Sequence, residues 1–346
     1  MYQFDIQTPA GTILYSLPFE SIKVTEELNK GLDGQLSMPY QSIKRYTEAL
    51  RTTPDGAISS QRMEWYLKKN GVPVYGGILL NRTIAGGREG ATSYQIKFAD
   101  FIARLAKRRT ATLFQRLATE QIDIVKDLLD AANAEADTGL TIGNDPGTTG
   151  KDRDLTSRIA NVRDEIVSMS NEKKAGGYDF DTDVTKKLNL YFPTKGESKL
   201  GVVFDSFNIV SWQSNRPLEG QLTNKLYTIG QGIGDDQVSA TSENVTSQTP
   251  WGLLEDIRSE KNVSSVSELQ DRGDAVIDDL AFPEDTISIV HKDDSPDITS
   301  YNVGDVVRVI IDDISFNKEL RIVKRTIQIS ESGEATVNLS FEGVTT

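Results

Sequence analysis

Apolar and polar residues alternate most clearly near the end of the chain, where Ala335, Val337, Leu339 and Phe341 interleave with Thr336, Asn338, Ser340 and Glu342. A period of two places the first set on one face of an extended segment and the second on the other, which predicts a half-buried strand. The runs GDVVRVIIDDI and ELRIVKRTIQIS precede it and complete a predicted three-stranded meander. The same period recurs early. Met63, Trp65 and Leu67 alternate with Glu64, Tyr66 and Lys68, and Asn70-Gly71 then supplies the positive φ angles that a two-residue hairpin requires. From Arg62 to Phe101 the pattern predicts three antiparallel strands: it continues through VPVYGGILLNRTI, turns at Gly86-Gly87-Arg88-Glu89-Gly90 and returns as ATSYQIKFADF. Ile13, Tyr15 and Leu17, then Ile22, Val24 and Glu26, predict further short strands of a small barrel or sandwich ending near Lys107.

A different period follows. Ile122, Val125, Leu128, Leu129 and Ala132 fall at helical spacing, and Leu155, Ile159, Val162, Ile166 and Met169 predict a second helix that stops at Gly176-Gly177. Between them, DTGLTIGNDPGTTGKDRD has the Gly, Pro, Asp and Thr content of an exposed loop. Strands return in LNLYFP, KLGVVF and NKLYTIG, between Lys187 and Gly230. The stretch from Asp235 to Pro250 is polar and turn-rich. Ser265 and Glu268 then form a capping box ahead of Leu269, Val276, Ile277 and Leu280, in a helix that Pro283 ends. Two β-rich blocks thus flank helical material.

Composition narrows the functional classes. A chain of 346 residues exceeds the size of one hydrophobic core, so two or more packing units are expected. With 37% hydrophobic and 26% charged residues and no apolar run of about 18 residues, membrane insertion is not expected. The first residues, MYQFDIQTPAGTILYSLPFE, lack a basic segment followed by an apolar one, so export by a signal peptide is not expected. There is no cysteine and one histidine, His291, which leaves little for nucleophilic, acid–base or transition-metal chemistry. The net charge of −13 argues against affinity for a nucleic-acid backbone, yet suits a surface that DNA passes without sticking.

Each local candidate for a site has a plainer reading. His291, in ISIVHKDDSPD, sits where a predicted strand enters an acidic turn. Asp179, Asp181 and Asp183 have the spacing that opens a calcium loop, but Val184 stands where that loop needs glycine and Leu190 where it needs glutamate, so a solvated acidic edge is expected. Gly230, Gly232 and Gly234 follow a strand without the lysine and Ser/Thr of a phosphate loop, and read as a turn. Lys107, Arg108 and Arg109 form the one compact basic run and are expected to pair with acidic residues, within or between subunits. Arg272-Gly273-Asp274 falls inside a predicted helix, and Trp65, Trp212 and Trp251 read as packing or interface anchors. Acidic residues number 51, but no local motif singles out a carboxylate pair for glycosidase chemistry. No catalytic, cofactor-binding or metal-ligating residue is assigned.

The order of segments resembles the tail hub, or baseplate hub, family of tailed bacteriophages and contractile injection systems, including their minor tail proteins. The resemblance is carried by WYLKKNGVPVYGGILLNRTI and YQIKFADFIARLAKRR in the first block, then GGYDFDTDVTKKLNLYFP and TNKLYTIGQG. Its most specific piece is TISIVHK followed by YNVGDVVRVII, ELRIVKRTIQIS and TVNLSFE. The resemblance implies an α+β, β-rich fold with two tail-tube-like β-barrel domains, helical connectors and a small α/β part. The implied partition is a barrel at 1–108, a helical connector and small α/β part at 109–180, a second barrel from 181–230 plus 285–346, and a helical insertion at 231–284. It further implies a non-enzymatic homotrimer in the virion, at the distal tail tip, assembled in the bacterial host cytoplasm. The implied partners are the distal tail or tail tube protein, the tape-measure protein and tail tip or receptor-binding proteins, with DNA only in transit. Many hub proteins carry a long enzymatic or receptor-binding extension, whereas this chain ends at Thr346, soon after its last strand, so such functions are expected of a separate protein. The alternatives are a carbohydrate-binding or polysaccharide-active protein on a β-scaffold, and a different tail component such as a distal tail or baseplate arm protein.

Overall fold

The computed structural model describes residues 1–346 except 50–62, 88–89, 111–112, 171–176, 217–218, 262, 284–285 and 344–346. The first block contains β1 (Tyr2–Gln7), β2 (Ile13–Leu17), β3 (Ser21–Glu27), β4 (Gly31–Pro39), helix α1 (Tyr40–Ala49), β5 (Glu64–Lys69), β6 (Val72–Gly87) and β7 (Gly90–Ala99). Its strands pair in the order β2-β1-β5-β6-β7-β4-β3. The hairpin expected at Asn70-Gly71 is present: both residues have positive φ, 53° and 82°, and Lys69 faces Val72 across the turn. Arg62, Arg88, Glu89 and Gly176, which the sequence reading placed in turns and at strand or helix ends, lie outside the described residues.

A short 3₁₀ helix (Phe101–Lys107) leads into β8 (Phe114–Glu120), α2 (Gln121–Glu135), β9 (Thr141–Ile142), β10 (Asp152–Ser157), α3 (Val162–Ser170), β11 (Asp179–Thr182) and β12 (Lys187–Tyr191). These elements share a core of their own, in which Phe101, Leu128, Ile166, Phe180 and Leu190 are fully or almost fully buried. Helix α2 matches the expected apolar stripe. The second predicted helix is shorter than its periodicity suggests. Leu155 lies on β10, which pairs with β8, and Ile159 is exposed in a turn with φ of 52°. The helix begins only at Val162, because the Asn161 side chain accepts the Arg163 amide at 3.0 Å and caps it.

The chain then forms β13 (Ser198–Phe204) and β14 (Ile209–Asn215) and departs into a small unit: β15 (Lys225–Ile229), β16 (Ser239–Glu243), α4 (Val245–Trp251), β17 (Glu255–Ser259) and α5 (Val266–Leu280). The segment read as a helical insertion at 231–284 is therefore α+β, and it includes β15 from the preceding stretch, which pairs with β16 and β17. Helix α5 is capped as predicted, with Ser265 Oγ accepting the Glu268 amide at 3.3 Å. The chain returns through β18 (Thr286–Lys292), β19 (Val306–Ile311), β20 (Phe316–Ser330) and β21 (Ala335–Gly343).

Where two barrels were expected, the two β-rich blocks form one continuous 13-stranded sheet, and no closed barrel is present among the described residues. Strand β20 joins them. Its first part pairs with β19 and its later part lies between β21 and β3, with Arg325 opposite Glu26, Ile327 opposite Val24 and Ile329 opposite Ile22. Both blocks contribute to one apolar core, from Phe4, Trp65 and Phe98 to Ile327, Leu339 and Phe341. Trp65 anchors it: the ring lies 4.3 Å from Phe98 and 5.6 Å from Phe4, and its N–H donates to the Ala99 carbonyl at 2.9 Å.

Candidate functional site

His291 is fully buried on β18 against Phe204 and Tyr301. Its Nδ1 lies 2.7 Å from the Lys292 carbonyl, which can only accept, so Nδ1 carries the proton and Nε2 accepts from the Tyr301 hydroxyl, also at 2.7 Å. Burial holds the ring below the ordinary histidine range, which favours this neutral form. Both nitrogens are occupied by fixed neighbours, and the residue acts as a core hydrogen-bonding unit.

The acidic triplet is not the solvated edge its spacing suggests. Asp179 is buried on β11, where it accepts from Asn29 Nδ2 at 2.9 Å, from the Lys195 amide at 2.7 Å and from the Arg321 guanidinium. It thereby ties the first block, the connector and β20 together. Asp181 pairs with Lys195 at 2.7 Å, and Asp183 closes the turn before β12 by accepting the Thr185 amide. Among the described residues no group of three or more His, Asp or Glu is placed to hold a metal ion.

The other local candidates also resolve into structure. Gly230, Gly232 and Gly234 form the loop after β15, running into a short 3₁₀ turn. Within the chain the basic run finds backbone partners: Arg108 donates to the Ala132 carbonyl at 2.9 Å and Arg109 to the Ala106 and Arg108 carbonyls. Arg272 bridges Glu260 and Glu268, each at 2.8 Å, while Gly273 lets α5 approach β16 so closely that a Cβ would lie 2.4 Å from Ser242 Oγ. Trp212 and Trp251 are half-buried.

What sequence reasoning missed is a polar seam between the blocks. Arg325 donates to the Ile298 and Tyr301 carbonyls and to Glu26 at 2.9 Å, with the Tyr75 and Tyr301 rings beside it. Asp100, which closes the first block, accepts the Leu32 amide at 2.9 Å, and burial pushes its carboxyl up to about 7. Glu64, predicted on the polar face of its strand, is buried and shared by Arg104 at 2.6 Å and Lys186 at 2.8 Å. The partners of these groups lie dozens to hundreds of residues away, so no local pattern announces them.

The remaining features lie on the surface of the sheet. Strands β2 and β14 terminate its pairing path, and β13 pairs only with β19 among the described residues. A cleft of about 720 Å³ opens between β6 and the connector, lined by Pro9, Leu80, Arg82, Arg104, Lys107, Arg108 and Lys186 among others. Beside the β14 end, the turn after β13 and the 3₁₀ turn Asp312–Ile314 flank a smaller groove of about 250 Å³, and Phe207 in the turn after β13 is 96% exposed.

No protein-family model and no curated protein matches the sequence. Solved structures do match, along nearly the whole chain. The 43 kDa tail protein of prophage MuSo2 from Shewanella oneidensis is 14% identical, with a TM-score of 0.66 over 99% of this chain and 98% of its own. A tail protein from Neisseria meningitidis MC58 is 13% identical, with a TM-score of 0.65 over 98% and 96%. The chain has the fold of phage tail proteins. That fold extends to a component of the E. coli type VI secretion system described as structurally similar to the T4 bacteriophage tail proteins gp27 and gp5: it is 10% identical, with a TM-score of 0.57 over 99% of this chain and 77% of that one. At such low identity the tail-protein fold persists while individual residues do not, because an alternating pattern and a set of register contacts can be met by many sequences. The elements that carry the family resemblance are the β5–β6 hairpin, β7 with the 3₁₀ helix after it, β11 with β12, and the closing strands β18 to β21.

Proposed function

We propose that the chain is a structural hub protein of a phage-type tail, whose copies form a ring at the distal end of the tail tube. The ring joins the tube or distal tail protein to the tail tip or receptor-binding proteins, holds the end of the tape-measure protein and opens for DNA. The observation that carries this reading is the end-to-end match of the fold to tail proteins, with two β-rich blocks side by side in each copy. Three copies would present six such blocks, matching a sixfold tube above to a threefold tip below. In this reading the chain works in the virion, after assembly in the host cytoplasm, and is not an enzyme. Its working units are the two blocks, the connector and the small unit at 225–281.

Physical chemistry supports the ring. An unpaired strand edge is a template for uncontrolled association unless it is covered, and a closed ring uses it up. The net charge of −13 would keep DNA from adhering to a bore lined by this chain. Light scattering on the purified full chain, with electron microscopy of the particles, tests the reading. A mass of three copies with a central opening is expected. A chain that stays monomeric and acts on cell-wall polysaccharide would replace it with the carbohydrate-active alternative.

A further inference from the structure

Two surfaces of the molecule differ in a way that suits them to each other. In a chain with 51 acidic and 38 basic residues, the cleft beside β6 gathers Arg82, Arg104, Lys107, Arg108 and Lys186, with Asp137 the one carboxylate lining it among the described residues. Glu64 lies behind the wall, where it holds Arg104 and Lys186 in place. The cleft is part apolar as well, with Leu80 54% exposed at its rim. At the β14 end the composition is reversed. Asp312 and Asp313 are exposed on a fixed 3₁₀ turn closed by the Ser315 amide on the Asp312 carbonyl, and Ile314, Val210 and Phe207 stay exposed around them. Large exposed apolar side chains beside two carboxylates on the rim of the groove there make a surface whose chemistry complements a basic, partly apolar cleft.

We infer that the acidic tip formed by Phe207, Val210 and Asp312–Ile314 of one copy docks into the basic cleft between β6 and the connector of the next copy. The occupant is a second copy of this chain, because the tip supplies negative charge to meet the cleft's cations and apolar surface to meet Leu80. The cleft lies against β6 and the tip beside β14, so one contact of this kind joins different surfaces of the two copies. Such a contact is head-to-tail, and it generates a ring when the rotation between copies closes. The inference rests on the ring reading and names the surfaces that would make it.

The absence of native cysteine makes the test clean. Chains carrying Leu80→Cys and chains carrying Ile314→Cys are mixed and oxidised mildly: the mixture is expected to give a disulfide-linked dimer, and each variant alone is not. A chain with both substitutions is expected to give a ladder ending at the ring's copy number. In parallel, Lys107→Glu and Asp313→Lys are each expected to weaken association about tenfold or more, and mixing or combining them to recover most of it. Circular dichroism on each variant separates loss of docking from loss of folding. If the unsubstituted chain assembles by light scattering while the mixture does not cross-link and the charge swap does not rescue, the docking is overturned and the ring stands. If the unsubstituted chain stays monomeric at every concentration reached and nothing cross-links, both are overturned.

Discussion

The large sheet and the small unit at 225–281 are held together by opposite means. In the sheet, a single apolar cluster runs from Tyr2 to Phe341 and takes residues from both blocks, so β3, β20 and β21 gain most of their stability by burial. In the small unit the apolar clusters are minimal: Leu226, Ile277 and Ala281 form one, and Ala240, Val263 and Leu269 the other. Polar ties complete it. The Asn224 side chain accepts the Leu254 amide and donates to the Gly252 carbonyl, Ser247 donates to the Ala281 carbonyl, and Arg272 joins Glu260 to Glu268. A region held by burial tolerates sequence change that keeps volume and pattern, whereas one held by named hydrogen bonds depends on a few residues. The difference implies that the small unit opens locally while the sheet unfolds as a whole.

The largest expected effect tests that cooperativity. Trp65→Ala leaves a large void at the centre of the sheet and is expected to cost up to about 5 kcal/mol. Denaturant unfolding followed by fluorescence and by circular dichroism should then shift together; separate transitions for the two blocks would break the description of one shared core. Next comes the polar seam. Arg321→Met strands the buried Asp179 carboxylate and is expected to cost about 3 kcal/mol, while the double variant with Asp179→Leu recovers part of it, as a double-mutant cycle would register. Gly273→Ala pushes a methyl group against Ser242 and Thr228 and is expected to cost about 1 to 3 kcal/mol. Hydrogen exchange should locate that loss in β15, β16 and α5, and faster exchange throughout the sheet would sink the local-opening picture. Ser265→Ala removes the cap of α5 and is expected to cost about 1 kcal/mol, read as faster exchange in its first turn.

A pH profile sharpens the contrast without changing its scale. Asp100 has its carboxyl raised to about 7 by burial, against about 3.9 in an unfolded chain. Between these values the folded chain holds a proton that the unfolded chain releases, so this group's stabilising contribution is complete below about 4 and is lost as pH rises through about 7. Asp100→Asn is expected to flatten that decline. A slope that is unchanged in the variant would show that Asp100 is not its source.

Much of this organisation was legible in the residues. The alternation at Ala335 to Phe341 is matched by the burial of its apolar members, and Asn70-Gly71 and Ser265 act where their local chemistry says. The stretch around Leu155 misled because apolar residues at helical spacing also occur where a strand runs into a helix, and pairing with β8 satisfied its backbone first. Helices α1 and α4 and strand β14 went unread, since their patterns are short and mixed. The basic cleft was visible only as the run from Lys107 to Arg109, of which Lys107 and Arg108 line the cleft while Arg108 and Arg109 donate to backbone carbonyls.

The sequence by itself determined the kind of elements, most of their order, the scarcity of catalytic side chains and the acidic character of the whole, because periodicity, turn chemistry and composition are local or additive properties. Tertiary structure decided that the two β-rich blocks share one sheet through β20, that Asp179, Glu64 and Arg325 are buried in paired networks, and that several cations gather in one cleft beside β6. Those outcomes depend on which distant segments meet. Once burial has brought them together, the cost of an unpaired charge away from water selects the partners, and neither step leaves a mark in any short stretch of the chain.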